Sequence, residues 1–584
     1  MTTQVSHAEQ LRWTGIFGSV ALLVLASLSL RDPTGVPFSL SLWAAGILLP
    51  LAFMAPAKPA EVSLPRWPVV AALGLLVVGT LARTWHLGAI PAYVHGDAGI
   101  VAMEAISVRD VDHRGFFAGP FTQGTEDFFG WFWIPNSCFY LQGIGMDLFG
   151  RDLVGFRIGS VILGVASLAG HTVLAWNLFG RYAALLSLIP LTTYHWHLFF
   201  SRSGHAYVQA TFLAVWSLGL LALGLRRGSR RWLYLSGVVG GFSLFSVFAA
   251  RVVPVILAAF ALSEVLLHRQ RWRELARSFG FVAWGAAAAI APALPGLALN
   301  RSAFVGRGRD VFIWGDAREH VAAALGTDSL VGIAWSHFWL SLRIFLWGSD
   351  ATEQYGFDGR YLDPFLVGFA VVGLFVCLRR SSGAAYRLLL LWFFVTFFLG
   401  SVLTIDAPAM SRLIPLVTAP YLFAAVGMIS LLDALGSVYG GRFRRVLWGG
   451  AIALCVAGAW WNADRYFRVH AERRPADRVT LLAQRLGAEE PDVEVRMMLG
   501  PGSGVTPLYW DHGTIRFFNR HHRGQNVTDL ESELATHSPP RIFVLHADRI
   551  DQLQRLQSAF PAGRVVDAQS LPGIVLFRAP VGRP

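Results

Sequence analysis

Two carboxylates in the segment 93–112 have the residue types and spacing expected of a catalytic pair. Asp97 follows a long apolar run and opens a polar loop over residues 88–153. Glu104 comes seven positions later, so in a helix over 97–108 the two side chains share one face, two turns apart. A carboxylate above a membrane suits a general base that removes a proton from a hydroxyl group. The simpler alternatives are a helix N-cap for Asp97 and a solvated surface position for Glu104.

Three arginines at the ends of apolar runs are candidates for binding an anion. Arg202, Arg251 and Arg412 fall on the same predicted surface as Asp97. A guanidinium group binds phosphate with two parallel hydrogen bonds, so a lipid phosphate is a fitting ligand for them. The alternative for each is an anchor whose aliphatic part lies in the bilayer and whose charge reaches the interface.

Two further groups of polar residues suggest a metal or a sugar. Asp350 lies in an acidic loop, 348–358, whose oxygens suit a divalent cation or sugar hydroxyls. His195 and His197 form an H-x-H motif near His205, a pattern that also suits a metal. A plain acidic loop and structural histidines at a membrane interface are the more ordinary interpretations. We therefore predict no metal and no cofactor, although a divalent cation is compatible with these residues, and we assign His205 and Asp350 to substrate binding.

The composition indicates an integral membrane protein. Of 584 residues, 54% are hydrophobic and only 15% are charged, and the mean hydropathy is +0.49. Soluble domains carry about 25% charged residues. A helix needs about 20 apolar residues to cross a bilayer, and the expected fold is an all-α polytopic membrane bundle of about 13 transmembrane helices. The thirteen apolar runs are 14–30, 38–56, 68–87, 156–178, 182–199, 208–225, 232–249, 252–268, 279–298, 365–379, 386–404, 412–433 and 446–463.

Basic residues concentrate on alternate connections between these runs, as the positive-inside rule requires of cytoplasmic loops. With the N-terminus in the cytoplasm, the short outer connections carry only four arginines, among them the three candidates above. The loops 88–153 and 299–364 then lie outside the cytoplasm, and the run 331–347 is predicted to be a helix in the outer interface. This distribution explains much of the net charge of +12 without a nucleic acid partner.

The C-terminal region, 464–584, is polar and patterned as a small extracytoplasmic α/β domain. Two helices are predicted, over 476–486 with Gly487 as the stop and over 548–560 with Asp548 as the N-cap. Short apolar runs predict three buried strands, over 493–499, 542–547 and 574–577. The predicted domains are therefore two N-terminal transmembrane helices in 1–67, a larger transmembrane region in 68–463, and this domain in 464–584.

The order of several short motifs resembles that of GT-C class membrane glycosyltransferases, in particular the group that contains protein O-mannosyltransferases and aminoarabinose transferases. The motifs are His-Gly-Asp-Ala-Gly and Met-Glu-Ala in 95–105, Leu-Phe-Gly in 148–150, Phe-Arg-Ile-Gly-Ser in 156–160, Asn-Leu-Phe-Gly-Arg-Tyr in 177–182, Phe-Ser-Arg-Ser-Gly-His in 200–205, Ala-Arg-Val-Val-Pro in 250–254 and Ser-Arg-Leu-Ile-Pro in 411–415. The resemblance covers roughly residues 68–435. It implies a polyprenyl-phosphate sugar donor, and it matches Asp97 to the family's first-loop catalytic aspartate.

The chain departs from the pattern of that group at two places. Ala98 follows Asp97 where the group often has Asp-Glu, and Trp133 stands where it often has a Glu before Lys-Pro. The usual second carboxylate and its neighbouring cation are therefore not in their places. Glu104 or the acidic pair at 126–127 is a candidate replacement, and a single carboxylate is the other possibility.

We therefore expect an inverting glycosyltransferase that moves a sugar from a polyprenyl-phosphate donor to an acceptor hydroxyl on the outer face of the membrane. Asp97 would be the base, and the three arginines would hold the leaving phosphate. The expected partners are this donor, a glycan, lipid or protein acceptor, and membrane lipids, without nucleic acid.

A transporter or flippase for a lipid-linked sugar or another anionic lipid is the alternative, and it predicts ionisable residues deep in the bundle. Most ionisable residues fall at the outer ends, with Glu264 and Asp433 nearer the inner side, which favours surface chemistry. A third, weaker alternative is a non-catalytic sensor whose outer domain binds a ligand.

Overall fold

A long helical bundle is followed by a small α/β domain in the computed structural model of the chain. The structure describes residues 7–29, 36–54, 66–110, 136–294, 301–350, 359–439, 441–498, 509–534, 540–567, 571 and 573–580. The helices of the bundle are α1 (His7–Ser29), α2 (Val36–Phe53), α3 (Arg66–Thr84), α4 (Gly96–Asp110), α5 (Tyr140–Phe149), α6 (Leu153–Phe179), α7 (Arg181–Leu191), α8 (His195–Arg202), α9 (Val208–Arg227), α10 (Arg230–Phe242), α11 (Val252–Leu267), α12 (Trp272–Ile290), α13 (Arg301–Val311), α14 (Arg318–Leu325), α15 (Leu330–Arg343), α16 (Val367–Arg379), α17 (Ala384–Phe397), α18 (Met410–Leu413), α19 (Ala419–Tyr439), α20 (Gly441–Asp464) and α21 (Ala471–Arg473).

Eight helical segments of the described residues are long and apolar enough to cross a membrane. They are Arg66–Thr84, Leu153–Phe179, Val208–Arg227, Phe248–Leu267, Arg269–Ala293, Ala384–Val402, Ala419–Tyr439 and Phe443–Arg473, and four shorter apolar helices accompany them. Large apolar side chains on their outer faces, such as Leu73, Val77 and Leu81, are exposed, as helices in contact with lipid require. The protein is therefore a multi-pass membrane protein with a helical bundle, and the total of thirteen spans stays a prediction.

The predicted single span over 182–199 is wrong. The structure divides it into α7 and α8, and the helix is interrupted after Leu191. The carbonyl oxygen of Thr192 accepts a hydrogen bond from the Arg83 guanidinium at 2.8 Å, so this backbone group is satisfied by a side chain instead of by the next helical turn. Helix α8 is then buried along its whole length against other parts of the protein, where its polar residues His195 and His197 find partners in Asn462 and Arg83.

Two helices of the later part of the bundle also bear on the sequence predictions. The helix predicted over 331–347 forms as α15, with Trp335 and Trp339 exposed and His337 buried. The last membrane-crossing segment continues through a π-helical stretch, Arg465–His470, to Arg473. The helical segment therefore extends about nine residues beyond the boundary at 464 that the sequence suggested.

The C-terminal domain contains a five-stranded mixed sheet in the order β2-β1-β3-β5-β4. Its elements are α22 (Arg478–Gly487), β1 (Glu494–Met497), α23 (Gly513–Phe518), β2 (Gly524–Asn526), α24 (Leu530–Leu534), β3 (Arg541–His546), α25 (Ile550–Ala559), β4 (Arg564–Asp567) and β5 (Ile574–Ala579). Strand β1 pairs in parallel with β2 and β3, whereas β5 is antiparallel to β3 and β4. The three predicted strands are confirmed as β1, β3 and β5, and β2 and β4 were missed.

Alternate residues of β3 enter two apolar cores, one on each face of the sheet. Ile542 and Val544 pack in the core that includes α22, and Phe543 and Leu545 pack in the core that includes α25. A sheet covered on both faces in this way needs no membrane around it.

The two predicted helices of this domain are confirmed, with one error in capping. Asp477 is the N-cap of α22, and its carboxylate accepts the backbone N–H of Thr480 at 2.8 Å. The predicted N-cap Asp548 is wrong, because α25 starts two residues later and the Asp548 carboxylate lies 3.0 Å from Nδ1 of His546.

Candidate active site

Asp97 occupies the first turn of α4, as the second residue of the helix. Its backbone N–H donates to Nδ1 of His95 at 3.1 Å, and its carboxylate lies 3.7 Å from the same nitrogen. The Asp97 side chain is 19% exposed, so it is half-enclosed and still reachable. The N-terminal end of a helix favours a negative charge at this place. This environment provides a carboxylate suited to accept a proton from a substrate.

Glu104 lies two turns further along α4 and is only 7% exposed. The alternative interpretation of Glu104 as a solvated surface residue is therefore wrong. Helix α4 buries it together with Val101, Ala102 and Ala105. The two carboxylates therefore have different surroundings, one half-enclosed and one buried, and a catalytic role of Glu104 stays a prediction.

His205 lies beside Asp97, in the connection between α8 and α9. Burial lowers the pKa of His205 to about 4, although the nearby Asp97 carboxylate acts in the opposite direction. At neutral pH the imidazole is therefore neutral. Its ring stacks on that of Tyr207, with ring centres 4.1 Å apart and planes 7° from parallel. The two predicted site residues Asp97 and His205 are thus brought together, with Tyr207 as a neighbour that sequence reasoning missed.

Arg202 has different surroundings from those predicted. Its guanidinium is fully buried and donates to the carbonyl oxygens of Ala82 at 2.7 Å, Trp85 at 2.6 Å and Ile90 at 3.1 Å. These carbonyls belong to the end of α3 and to the connection that leads to Asp97. The last carbonyls of a helix lack partners within the helix, and a cation is favoured there. Arg202 therefore holds the segment that positions Asp97, which supports a structural role over the predicted phosphate contact.

Two further buried arginines lie in the same region of the bundle. Arg83 donates to the carbonyl oxygens of Gly79 and Thr192, each at 2.8 Å. Arg157 donates to those of Leu87 at 2.7 Å and Pro91 at 2.8 Å. Arg157 and Arg202 therefore hold the connection from α3 to α4, and Arg83 joins α3 to the break between α7 and α8.

The other two predicted arginines line one cavity. This cavity has a volume of about 720 Å³ and lies between α11, α13, α17 and the residues around α18. Arg251, Arg309 and Arg412 contribute to its lining, with Asp316 as the acidic residue among the described lining residues. The apolar part of the lining includes Leu244, Phe248, Ala249, Val252, Val255, Val305, Phe312, Trp314 and Leu399. An apolar cavity with several guanidinium groups matches a ligand with a hydrocarbon chain and an anionic head.

Arg412 is held at this cavity by its own backbone segment. Its guanidinium donates to the carbonyl oxygen of Ile405 and lies 3.1 Å from the carboxylate of Asp406. Asp350 accepts the backbone N–H of Met410 at 3.2 Å, at the start of the short helix α18 that carries Arg412. Asp350 therefore anchors this helix, and its predicted contact with substrate stays a prediction. Its acidic neighbours in 351–358 lie outside the described residues, as do the candidate carboxylates at 126–127.

The Asp97 region and the cavity are linked through the α8–α9 connection. Tyr207 stacks on His205 on one side and is near enough to Arg412 to interact with it electrostatically on the other. Asp97, His205, Tyr207 and Arg412 therefore follow one another within electrostatic range, with a direct ring contact between His205 and Tyr207. Arg309 was missed because the predicted loop 299–364 contains several arginines, and the sequence gives no sign of which one faces the cavity.

The H-x-H motif bonds to other parts of the protein. Nδ1 of His195 lies 2.7 Å from Oδ1 of Asn462, and Nδ1 of His197 lies 2.5 Å from the Arg83 guanidinium. Both contacts favour the structural interpretation of this motif. Among the described residues, no group of three or more His, Cys, Asp or Glu side chains has an arrangement that would hold a metal ion.

Comparison with known sequences gives matches to part of the chain. The family model for dolichyl-phosphate-mannose-protein mannosyltransferases matches residues 135–298, a segment that includes His205 and Arg251 but not Asp97 or Arg412. An undecaprenyl phosphate-alpha-4-amino-4-deoxy-L-arabinose arabinosyl transferase of Pseudomonas aeruginosa is 30% identical over 219 residues, which are 36% of this chain and 37% of the relative. The chain thus spans little more than a third of the length of the curated relatives that it matches.

Comparison with solved structures covers most of the chain. ArnT from Cupriavidus metallidurans bound to undecaprenyl phosphate has a TM-score of 0.56 at 13% identity, over 88% of this chain and 98% of that one. The Archaeoglobus fulgidus oligosaccharyltransferase tethered to an acceptor peptide has a TM-score of 0.50 at 14% identity, over 78% of this chain and 63% of that one. The fold is therefore that of ArnT, and the resemblance to GT-C class polyprenyl-phosphate-dependent membrane glycosyltransferases, predicted from the motif order, is confirmed.

Proposed function

We propose that this protein is an inverting glycosyltransferase that moves a sugar from a polyprenyl-phosphate donor to an acceptor hydroxyl on the outer face of the membrane. The observation that carries the proposal is the continuity of the site. The Asp97 carboxylate lies within electrostatic range of His205, whose ring stacks on that of Tyr207. Tyr207 in turn lies within electrostatic range of Arg412, which lines the apolar cavity.

The cavity supports a lipid-linked donor. Its volume of about 720 Å³ falls within the range of ligand pockets, about 300–1,000 Å³, and suits the first isoprenoid units and the phosphate of such a molecule. Arg251, Arg309 and Arg412 provide positive charge for a phosphate that becomes a better leaving group when its developing charge is stabilised. The undecaprenyl phosphate bound to the structurally similar ArnT from Cupriavidus metallidurans supports the same class of donor here.

Asp97 is the proposed base. The acceptor O–H gives its proton to the Asp97 carboxylate while the acceptor oxygen forms a bond to the anomeric carbon of the sugar. The bond between that carbon and the phosphate oxygen breaks, and its electron pair stays on the lipid phosphate. A single displacement from the face opposite the phosphate inverts the configuration at the anomeric carbon. The neutral imidazole of His205 adds no positive charge that would make the nearby carboxylate a weaker base.

The charge distribution of the connections supports an outer location of the site. The basic residues on the opposite side of the bundle follow the positive-inside rule, so we place the N-terminus in the cytoplasm and the α/β domain outside it. The acceptor would then reach Asp97 from the extracytoplasmic side. The sugar and the acceptor (glycan, lipid or protein) are left open by this argument.

A transporter or flippase receives less support. Such a protein needs ionisable groups that face a path through the middle of the bundle. The buried carboxylate of Glu264 forms an ion pair with Arg387, and the same guanidinium donates to the carbonyl oxygens of Ser381 and Ser382. This pair joins the end of α11 to the start of α17 and therefore suits a structural contact.

The Asp97→Asn variant tests the proposal. Membranes that contain the wild-type protein are expected to transfer radiolabelled sugar from polyprenyl phosphate to an acceptor, and the variant is expected to lose roughly 100-fold or more of this activity, because the amide cannot accept the proton. Asp548→Asn is a matched control, since the Asp548 side chain is 73% exposed on the α/β domain. Undiminished transfer by Asp97→Asn at normal expression would remove Asp97 as the base.

A further inference from the structure

Helix α23 of the C-terminal domain lies directly on the first two turns of α4. The two helices approach so closely that neither tolerates a side chain at the crossing point. A Cβ atom at Gly99 would lie 2.3 Å from the carbonyl carbon of Gly513, and one at Gly513 would lie 2.3 Å from the carbonyl oxygen of Gly96. Contacts this short leave no room even for a methyl group. The domain is therefore fitted to the helix that carries Asp97, by backbone-to-backbone contact.

Hydrogen bonds fix the same contact just before α4. The backbone N–H of Val94 donates to the Thr480 hydroxyl at 3.0 Å, and the Thr514 hydroxyl donates to the Val94 carbonyl oxygen at 2.8 Å. Both groups of Val94 are thereby satisfied by the C-terminal domain, and Val94 is 3% exposed. A buried backbone segment whose donor and acceptor are both paired has a single well-defined position. The domain thus fixes the residue that stands three positions before Asp97.

His512 of this domain lies against the first turn of α4. A Cβ atom at Gly96 would lie 3.0 Å from Nε2 of His512, so the imidazole rests on the residue that precedes Asp97. The ring interacts electrostatically with Asp97, His95 and Asp477, and burial lowers the pKa of His512. Its Nδ1 is buried, and within the part of the chain that the structure describes it has no hydrogen-bond partner. The ring is therefore neutral and has hydrogen-bonding capacity beside the proposed base.

We infer that the C-terminal α/β domain forms the acceptor side of the Asp97 site, with His512 as a positioning residue that orients the Asp97 turn and the hydroxyl-bearing acceptor. This inference rests on the proposed glycosyl transfer. It assigns the donor and the acceptor to different parts of the chain. The arginine-lined cavity in the bundle takes the lipid-linked donor, and the surface around His512, beside the closed contact between α4 and α23, takes the acceptor.

The docking is tested without any measurement of activity. The three native cysteines are buried, so a cysteine introduced at Ile100, beneath Gly513, reports on this contact alone when a membrane-impermeant maleimide is added. We expect slow labelling of Ile100→Cys, and at least tenfold faster labelling when Gly513→Leu forces the helices apart. Fast labelling of Ile100→Cys in the otherwise wild-type protein would overturn the docking and with it the inference.

The role of His512 is tested by steady-state kinetics with purified full-length protein. We expect His512→Ala to lower kcat about 10- to 100-fold, the effect of a small misplacement of reacting groups, and to raise the KM for the acceptor while the KM for the donor stays within twofold. His512→Gln keeps a hydrogen-bonding group and should recover part of kcat. His521→Ala, an exposed histidine of the same domain, is the matched control and should behave as the wild type.

Each outcome points to a different conclusion. Wild-type kinetics for His512→Ala, with the Ile100→Cys site still protected in that variant, would overturn the role of His512 and leave the proposed function intact. A raised KM for the donor alone would also overturn it, because His512 would then belong to the donor side. Absence of transfer by the wild-type protein, with every class of polyprenyl-phosphate sugar supplied, would instead overturn the proposed function itself.

Discussion

Replacement of Arg202 by Gln separates the role predicted from its motif, a phosphate contact, from the role that its contacts support. The guanidinium donates to the carbonyl oxygens of Ala82, Trp85 and Ile90, and its centre lies 5.2 Å from the ring centre of Phe467. A buried acceptor left without its donor costs about 1–3 kcal/mol. With three carbonyls involved, we expect the variant to lose at least about 3 kcal/mol of stability in this part of the bundle.

The assay follows thermal unfolding of the protein in detergent by the reaction of its three buried cysteines with a thiol-reactive fluorophore. The midpoint for Arg202→Gln is expected to fall by a few degrees. The kcat for sugar transfer should also fall, because the segment that leads to Asp97 is loosened, while the KM for the donor stays within about twofold of wild type. Arg202→Lys should have a thermal midpoint and a kcat between those of the wild type and Arg202→Gln, since an ammonium group reaches fewer of the three carbonyls.

Arg227→Gln is the matched control, because Arg227 is an exposed arginine at the opposite end of the helical pair α8 and α9. It should leave both the midpoint and the kinetics unchanged. A wild-type midpoint for Arg202→Gln, combined with a large rise in the KM for the donor, would refute the structural argument. Arg202 would then contact the phosphate, as its motif predicted.

Two more predictions concern the donor cavity and the neutral imidazole. Arg412→Ala is expected to raise the KM for the donor about 10- to 150-fold, because it removes one charge-assisted contact worth about 1.5–3 kcal/mol. Asp406→Asn removes only the carboxylate that lies 3.1 Å from the Arg412 guanidinium, and it should change the KM for the donor less than about threefold. Equal KM values for the two variants would contradict a phosphate contact of Arg412. Burial lowers the pKa of His205 from 6.5 to about 4, so the unfolded chain binds the extra proton between these values. Protonation of His205 in the unfolded chain therefore costs no stability above about pH 6.5 and lowers the stability of the fold as the pH falls towards 4. His205→Gln should flatten this part of a plot of thermal midpoint against pH. Parallel plots for the wild type and the variant would contradict the prediction.

Hydropathy and motif order predicted much of this molecule. Each of the thirteen apolar runs contains helix, because a span of this length in lipid must satisfy its backbone groups internally. The break between α7 and α8 was not predicted, since it depends on the bond between Arg83 and Thr192, which lie 109 positions apart. Strands β2 and β4 were missed because they are short, three and four residues, and lack a run of apolar side chains that would mark them.

The site was predicted less completely than the fold. Asp97 was proposed from its place at the end of an apolar run, and its role as the base stays a prediction. Arg251 and Arg412, which were predicted to act together, line the same cavity. The predicted phosphate contact of Arg202 stays a prediction, and the carbonyl contacts of its guanidinium support a structural role instead. An arginine at the end of a helix satisfies backbone carbonyls as readily as it binds a phosphate, and only the packed structure distinguishes the two. The sequence did not indicate that His512 lies near Asp97, because the two residues are 415 positions apart and are brought together only by folding.

The contact between α4 and α23 has a consequence for the biogenesis of the protein. Val94 and Thr514 are 420 residues apart in sequence, so at about 5–20 residues per second a ribosome synthesises the second roughly 20–80 s after the first. During that interval the α4 segment is synthesised and the helices after it are inserted, while the backbone N–H and C=O of Val94 lack the hydrogen bonds that Thr480 and Thr514 later form with them. The turn that carries Asp97 therefore acquires its final position only when the last domain has been delivered and folded. Chains truncated before α23 would insert the helical bundle and form the donor cavity, but the turn that carries Asp97 would lack the contacts that fix its position.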